Sequence, residues 1–130
     1  MICLDSCFVI DLLKGRPEAV DAAKEHVAES VTTEIVRFEV LYGVLKRKAI
    51  DEKEAKAARD LFSTLDVLPF DEGCGERAAH VLAELKKQGR IVEVADCQIA
   101  ATALENGCSR ILTRNEGHFS RIPETEVVTY

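Results

Sequence analysis

Tryptophan is absent from this 130-residue sequence, and aromatic residues make up only 5% of it. No apolar run approaches the roughly 20 residues that a membrane-spanning helix needs, and no basic segment precedes the apolar residues at the N-terminus. Neither a transmembrane protein nor a signal peptide is therefore expected. The length suits one domain over residues 1–130, and we expect that domain to be cytoplasmic.

Paired cysteine motifs are also missing. The five cysteines are an odd number, and none of them forms the C-x-x-C pairs that are typical of zinc sites. We therefore expect small, buried thiols at all five positions, which are Cys3, Cys7, Cys74, Cys97 and Cys108.

Positive charge is scarce, because 17 lysines and arginines face 23 aspartates and glutamates, for a net charge of -6. This balance argues against a protein that coats nucleic acid without specificity. It leaves open a local basic rim around an acidic centre, since phosphate binding depends on local charge. With so few aromatic residues, the chain offers few surfaces on which bases could stack.

Short β-rich segments alternate with helical segments along the whole chain. The predicted strands are residues 1–4, 30–33, 66–70, 109–113 and 126–130. The predicted helices run from residue 6 to Gly15, over 17–29, 34–48 and 51–65, from residue 71 or 72 to near Gly89, and over 94–106. Such alternation predicts an α/β fold, a three-layer α/β/α sandwich around a parallel sheet of four to five strands.

The helix over 34–48 carries a carboxylate at the edge of its apolar side. We predict that this apolar side consists of Ile35, Phe38, Leu41, Tyr42 and Leu45. Glu39 then lies at the border of that side, and Gly43, four residues on, has no side chain. A bare turn beside a carboxylate leaves room for an ion or a phosphate, although a glutamate that reaches to water is the simpler alternative.

Two aspartates also stand at unusual places. Asp5 ends the first strand, where it either caps the next helix or serves another task while Ser6 provides the cap. Asp96 lies in the first turn of its helix, on a face of small apolar residues. It either complements the helix dipole or lies close to the protein body.

The carboxyl ends of parallel strands meet at one edge of the sheet, and ligands bind in the crevice there. Asp5, Glu39 and Asp96 are expected near that crevice, together with Asn115 and Glu116 after the fourth strand. Carboxylates held this close repel one another unless a cation neutralises them. Oxygen ligands suit Mg²⁺ or Mn²⁺, and no cluster of histidines and cysteines competes with them.

Four segments, read in order, are similar to motifs of one known family. They are "LDSCFVIDLLKG", "FEVLYG", "ADCQIAATALENG" and "ILTRNEGHFSRIP". The set resembles the PIN-domain family, and within it the VapC-type toxin ribonucleases of toxin–antitoxin pairs. The resemblance covers nearly the whole chain. It implies an endoribonuclease that depends on Mg²⁺ or Mn²⁺.

The resemblance also assigns residues. It implies that Asp5, Glu39 and Asp96 bind the metal and are catalytic, and that Ser6 and Thr113 support them.

The fourth acid is where this chain departs from the family. Many members carry aspartate at the position of Asn115, or just before the phenylalanine, where this chain has His118. Glu116 would then substitute, or Asn115 would ligate through its carbonyl oxygen or a water. The sequence therefore leaves the existence of a second metal site as an open question.

Partners follow from the same resemblance, which implies an RNA substrate, a VapB-type antitoxin and a homodimer. Arg114, Lys46 and Arg47 are candidate RNA contacts at the rim, although a solvated helix end also explains the two residues that follow the Glu39 helix. Because the fourth acid is not standard, a second hypothesis is a catalytically weak PIN domain that binds RNA or protein.

Overall fold

Seven α-helices and five β-strands make up the fold in the computed structural model, which describes residues 1–130. In chain order they are β1 (Ile2–Leu4), α1 (Ser6–Leu13), α2 (Pro17–His26), β2 (Ser30–Thr33), α3 (Glu34–Leu45), α4 (Glu52–Thr64), β3 (Asp66–Leu68), α5 (Glu72–Lys87), α6 (Val94–Glu105), β4 (Arg110–Leu112), α7 (Glu116–Phe119) and β5 (Glu126–Val128). No helix is both long and apolar enough to cross a bilayer.

All five strands are parallel and form one sheet in the order β3-β2-β1-β4-β5. The first strand of the chain is therefore the central one, paired with β2 on one side and β4 on the other. Helices flank the sheet, so the predicted α/β fold with a parallel sheet is confirmed. The parallel order brings the residues that follow β1 and β4 to the same edge.

Local signals in the sequence set most element boundaries. Thr33 caps α3 by accepting a hydrogen bond from the amide of Val36, and Asp51 caps α4 by accepting from the amides of Lys53 and Glu54. Gly15 and Gly89, with φ of 69° and 73°, follow α1 and α5 in the left-handed conformation that glycine adopts without strain.

The predicted apolar side of α3 is wrong. The buried side chains are Val36, Val40 and Val44, whereas Phe38 is 65% exposed and Tyr42 is 56% exposed. Both sides of this helix are apolar, so hydrophobic spacing alone does not choose between them. The small β-branched valines face the core, and Ile35 and Leu41 of the predicted side are partly buried against it, whereas Phe38, Tyr42 and Leu45 face outward.

The cysteines follow the sequence prediction with one exception. All five are free thiols, and four of them are buried, whereas Cys7 is only half-buried. Burial raises the pKa of each of the five thiols.

Candidate active site

Asp5 lies directly after the central strand and is 1% exposed. Its amide donates to the carbonyl of Leu112 at 3.1 Å, which continues the pairing of β1 with β4. One carboxylate oxygen, Oδ1, accepts the amide hydrogen of Ser6 at 2.7 Å, so Asp5 itself caps α1 and Ser6 does not. The other, Oδ2, accepts the Thr113 hydroxyl at 2.7 Å. Asp5 therefore caps the helix and is also fixed from the end of β4.

Thr113 is fully buried and connects two segments of the site. Its hydroxyl donates to Asp5 and accepts from the amide of Asn115 at 2.9 Å. The Cys7 sulfur lies 3.2 Å from Asp5 Oδ2 and 3.3 Å from the Thr113 hydroxyl. Cys7 is a site neighbour that the sequence does not predict, because a cysteine in the first turn of a helix has the pattern of a core residue.

Glu39, in the middle of α3, is half-buried next to the valine face of that helix. Its Oε1 atom is enclosed and has no hydrogen-bond partner. Burial raises the pKa of this carboxyl, and the charge of Asp5 raises it further, while the Ser6 hydroxyl acts in the opposite direction. The charge of Asp96 also contributes to the rise.

Asp96 lies in the first turn of α6, a helix that contacts α3 and β2. Burial raises the pKa of its carboxyl to about 6, and the negative charge of Asp5 acts in the same direction. His118 opposes this rise, because its Nδ1 atom lies 3.0 Å from Asp96 Oδ2. Since Asp5 raises the pKa of both other carboxyls, the three predicted acids lie within electrostatic reach of one another.

These acids come from β1, α3 and α6, which are far apart in sequence and adjacent in the fold. An unpartnered buried oxygen and mutually repelling carboxylates are features that a divalent cation would relieve. No three carboxylate, imidazole or thiol groups are close enough together to enclose an ion by themselves. The site therefore suits an ion such as Mg²⁺, which binds through one or two carboxylates and keeps several waters.

The region after β4 contributes a different side chain from those that the sequence predicts. Asn115 and Glu116 are exposed, and neither side chain bonds to the three acids, so their role as metal ligands stays a prediction. The short helix α7, which the sequence does not predict, instead brings His118 to Asp96. The sequence signal for His118 is its position directly before Phe119, where members of the resembling family often carry an acid.

The predicted RNA contacts at the rim have partners within the protein. Arg114 contacts the Asp11 carboxylate at 2.8 Å, and Arg47 contacts Glu54 at 2.5 Å. The Lys46 ammonium lies 5.6 Å from the centre of the Tyr42 ring. Each of these side chains also faces solvent, and their role in RNA binding stays a prediction.

Asp11 organises a cluster that the sequence does not predict. This carboxylate is almost fully buried, yet it contacts Arg16 at 3.1 Å as well as Arg114, and it accepts the Tyr130 hydroxyl at 2.7 Å. Tyr130 also packs edge-on against Phe8, with ring centres 5.0 Å apart. Two guanidinium groups share one carboxylate, so the cluster keeps a net positive charge beside the acidic site.

A PIN domain family model matches residues 2–125 of the chain. Ribonuclease VapC2 of Haemophilus influenzae is 28% identical over 120 residues, which are 92% of this chain and 89% of that protein. The protein named tRNA(fMet)-specific endonuclease VapC of Shigella flexneri has the same identity and coverage.

Solved structures show the same likeness. DNA-bound VapBC from Salmonella typhimurium has a TM-score of 0.88 and 26% identity, covering 98% of this chain and 96% of that one. VapBC-1 from nontypeable Haemophilus influenzae has a TM-score of 0.82 and 27% identity, covering 99% and 98%. The fold and the match to the family model agree, and the chain belongs to the PIN domain family.

Proposed function

We propose that this protein is an endoribonuclease that depends on Mg²⁺ or Mn²⁺, acts in the cytoplasm and is the toxin of a toxin–antitoxin pair. The observation that carries this proposal is the approach of Asp5, Glu39 and Asp96 to one another at the carboxyl edge of a parallel sheet, with the pKa of the latter two raised. Relatives of similar length that are named ribonuclease or endonuclease support it.

Asp5, Glu39 and Asp96 would hold the ion, directly or through waters. When bound, the ion supplies a Lewis acid for a phosphate oxygen and lowers the pKa of an attacking water. Thr113 and the Ser6 amide would keep both oxygens of Asp5 in place, so that this carboxylate does not reorganise during the reaction. In-line hydrolysis would leave 5′-phosphate and 3′-hydroxyl ends.

RNA would approach along a rim of positively charged side chains, which consists of Arg16, Arg114, Lys46 and Arg47. Arg16 and Arg114 are each more than half exposed, although both contact the buried Asp11 carboxylate. That carboxylate fixes the two guanidinium groups without using all of their donors, since each carries five N–H bonds. Lys46 and Arg47 would extend the rim from the end of α3.

Cleavage assays test the proposal directly. Purified protein is incubated with a panel of single-stranded and hairpin RNAs in Mg²⁺, in Mn²⁺ and in EDTA. We expect cleavage with either ion, none in EDTA, and none with Asp5→Asn. The matched control is Asp21→Asn, which removes an exposed aspartate of α2 and should leave cleavage unchanged. Cleavage that survives EDTA or Asp5→Asn would overturn the proposed mechanism.

RNA binding without cleavage would instead favour the second candidate, a PIN domain that serves as a binding module. The observation that favours it is His118 beside Asp96, where many family members have an acid. A gel-shift experiment with the same RNA panel separates the two, because a binding module retains RNA in EDTA whereas a nuclease also yields new ends in Mn²⁺.

A VapB-type antitoxin and a second copy of this chain are the proposed partners, since the similar solved structures are VapBC complexes. The exposed side of α3 is a candidate contact surface, because Phe38 and Tyr42 stack there with ring centres 5.8 Å apart and Leu45 follows. Co-expression with the product of a neighbouring antitoxin gene should yield a stable complex that no longer cleaves RNA.

A further inference from the structure

His118 is the one histidine that contacts any of the three acids. Its Nδ1 atom lies 3.0 Å from Asp96 Oδ2, and it is held there by α7. The other two histidines have partners elsewhere, because His26 contacts Glu29 and His80 contacts Glu76. The contact with Asp96 is therefore a specific feature of the site.

The contact changes which oxygens of Asp96 are available. An ionised carboxylate only accepts hydrogen bonds, so Nδ1 carries the proton and donates to Oδ2. The imidazole then occupies one acceptor position of Oδ2, whereas Oδ1 keeps both of its acceptor positions for an ion. Outer hydrogen bonds of this kind orient metal ligands and set their affinity.

Because residue 118 is a histidine, this position supplies no fourth carboxylate. A pair of catalytic ions about 4 Å apart needs ligands for each ion and shared oxygens between them. The nearest remaining acid on this segment, Glu116, is exposed and has no bond to the cluster. Glu93, which precedes α6, raises the pKa of Glu39 and Asp96 through its charge, but it is exposed and no hydrogen bond connects it to the three acids. The three carboxylates that the fold buries or half-buries, one of them bonded to an imidazole, form a ligand set for one ion.

We propose that His118 is a positioning residue that fixes Asp96 with one oxygen free, and that the site in consequence holds a single divalent ion. This inference rests on the proposed metal dependence. It goes beyond that proposal by assigning the stoichiometry and a role for a residue at which the chain departs from its family.

Manganese binding measured on the protein without RNA tests it. Calorimetry and the electron paramagnetic resonance signal of free Mn²⁺ give the stoichiometry and the affinity. We expect one ion per chain in the wild type, and an affinity about 10- to 100-fold weaker in His118→Ala. His118→Asn keeps an N–H donor for Asp96 and should restore most of that affinity, whereas His118→Asp should bind a second ion. His80→Ala is the matched control and should bind as the wild type does.

The outcomes separate the two proposals. Wild-type protein that binds no Mn²⁺ would overturn the metal dependence itself, and this inference with it. Wild-type protein that binds one ion with unchanged affinity in His118→Ala would overturn only the role of His118. Two ions in the wild type would overturn the stoichiometry. In the wild type, an imidazole N–H resonance that is missing in His118→Ala should shift on addition of Mg²⁺, which a purely structural role would not produce.

Discussion

Replacement of Asp96 by asparagine should stabilise the metal-free protein at neutral pH. The folded protein raises the pKa of this carboxyl from 3.8 to about 6, chiefly by burial and next by the charge of Asp5. The ionised carboxylate is therefore less favourable in the folded state than in the unfolded chain. Asparagine has nearly the same shape and no charge, so it removes this unfavourable term.

The size of the effect follows from the shift. Each pKa unit corresponds to 1.36 kcal/mol, so a shift of about two units gives at most about 3 kcal/mol. Screening by water at the open edge of the site reduces this figure, and we expect about 1–2 kcal/mol. For a chain of this length the gain in melting temperature is about 4 °C per kcal/mol.

The effect has a defined pH window. Above pH 6 the carboxyl is ionised in both states, and the gain from Asp96→Asn is complete. Between about pH 6 and pH 4 it decreases, because the folded state holds a proton that the unfolded chain has lost. Below about pH 4 both states are protonated, and the gain is absent.

Thermal and urea unfolding in EDTA at pH 7.5, 5 and 3.5 measure this gain, with Asp21→Asn as the control for loss of an exposed charge. Addition of Mn²⁺ should reverse the order at pH 7.5, since ligand that binds only the folded state stabilises it and the wild type binds better. A destabilised Asp96→Asn protein in EDTA at pH 7.5 would refute the reasoning, because the carboxylate would then be stabilising without an ion.

Four further substitutions test other contacts of the fold and the site. Thr113→Val should cost about 1.5–3 kcal/mol of unfolding free energy, measured in urea, and slow RNA cleavage, because it removes the hydroxyl bonded to Asp5; normal activity would argue against a supporting role. Tyr130→Phe should cost about 1 kcal/mol and weaken RNA binding in gel shifts, because it removes one bond that orients the arginine cluster; unchanged stability would contradict this. Val40→Ala should cost about 1–3 kcal/mol and Phe38→Ser less than 0.5 kcal/mol in the same urea experiment, and the reverse order would mean that α3 buries the predicted side.

Much of the fold was accessible from local sequence signals. Glycines such as Gly107, with φ of 76°, mark helix ends because few other residues adopt that conformation. The sequence predicts a strand over residues 30–33, and β2 covers the same positions. Short helices are harder to predict from sequence. The helix α7 is a single turn, and its last residue, Phe119, is packed in the core.

The site was only partly accessible. Asp5 and Asp96 stand out in the sequence because a carboxylate at the junction of a strand and a helix, or on a face of alanines, is unusual. Asp11 does not stand out, since it lies on a helix among apolar residues and its partners Arg16, Arg114 and Tyr130 lie up to 119 residues away. Contacts of that range depend on the tertiary fold, which hydrophobic spacing does not describe.

The central position of β1 has a consequence for synthesis on the ribosome. β1 is made first, but its second edge is paired only when β4, Arg110–Leu112, has been synthesised. The hydroxyl that bonds to Asp5 belongs to Thr113, which lies 108 residues later in the chain. Contacts of such long sequence separation form late and slowly. A nascent chain therefore completes the contacts of Asp5 only after nearly all of its residues have emerged from the ribosome.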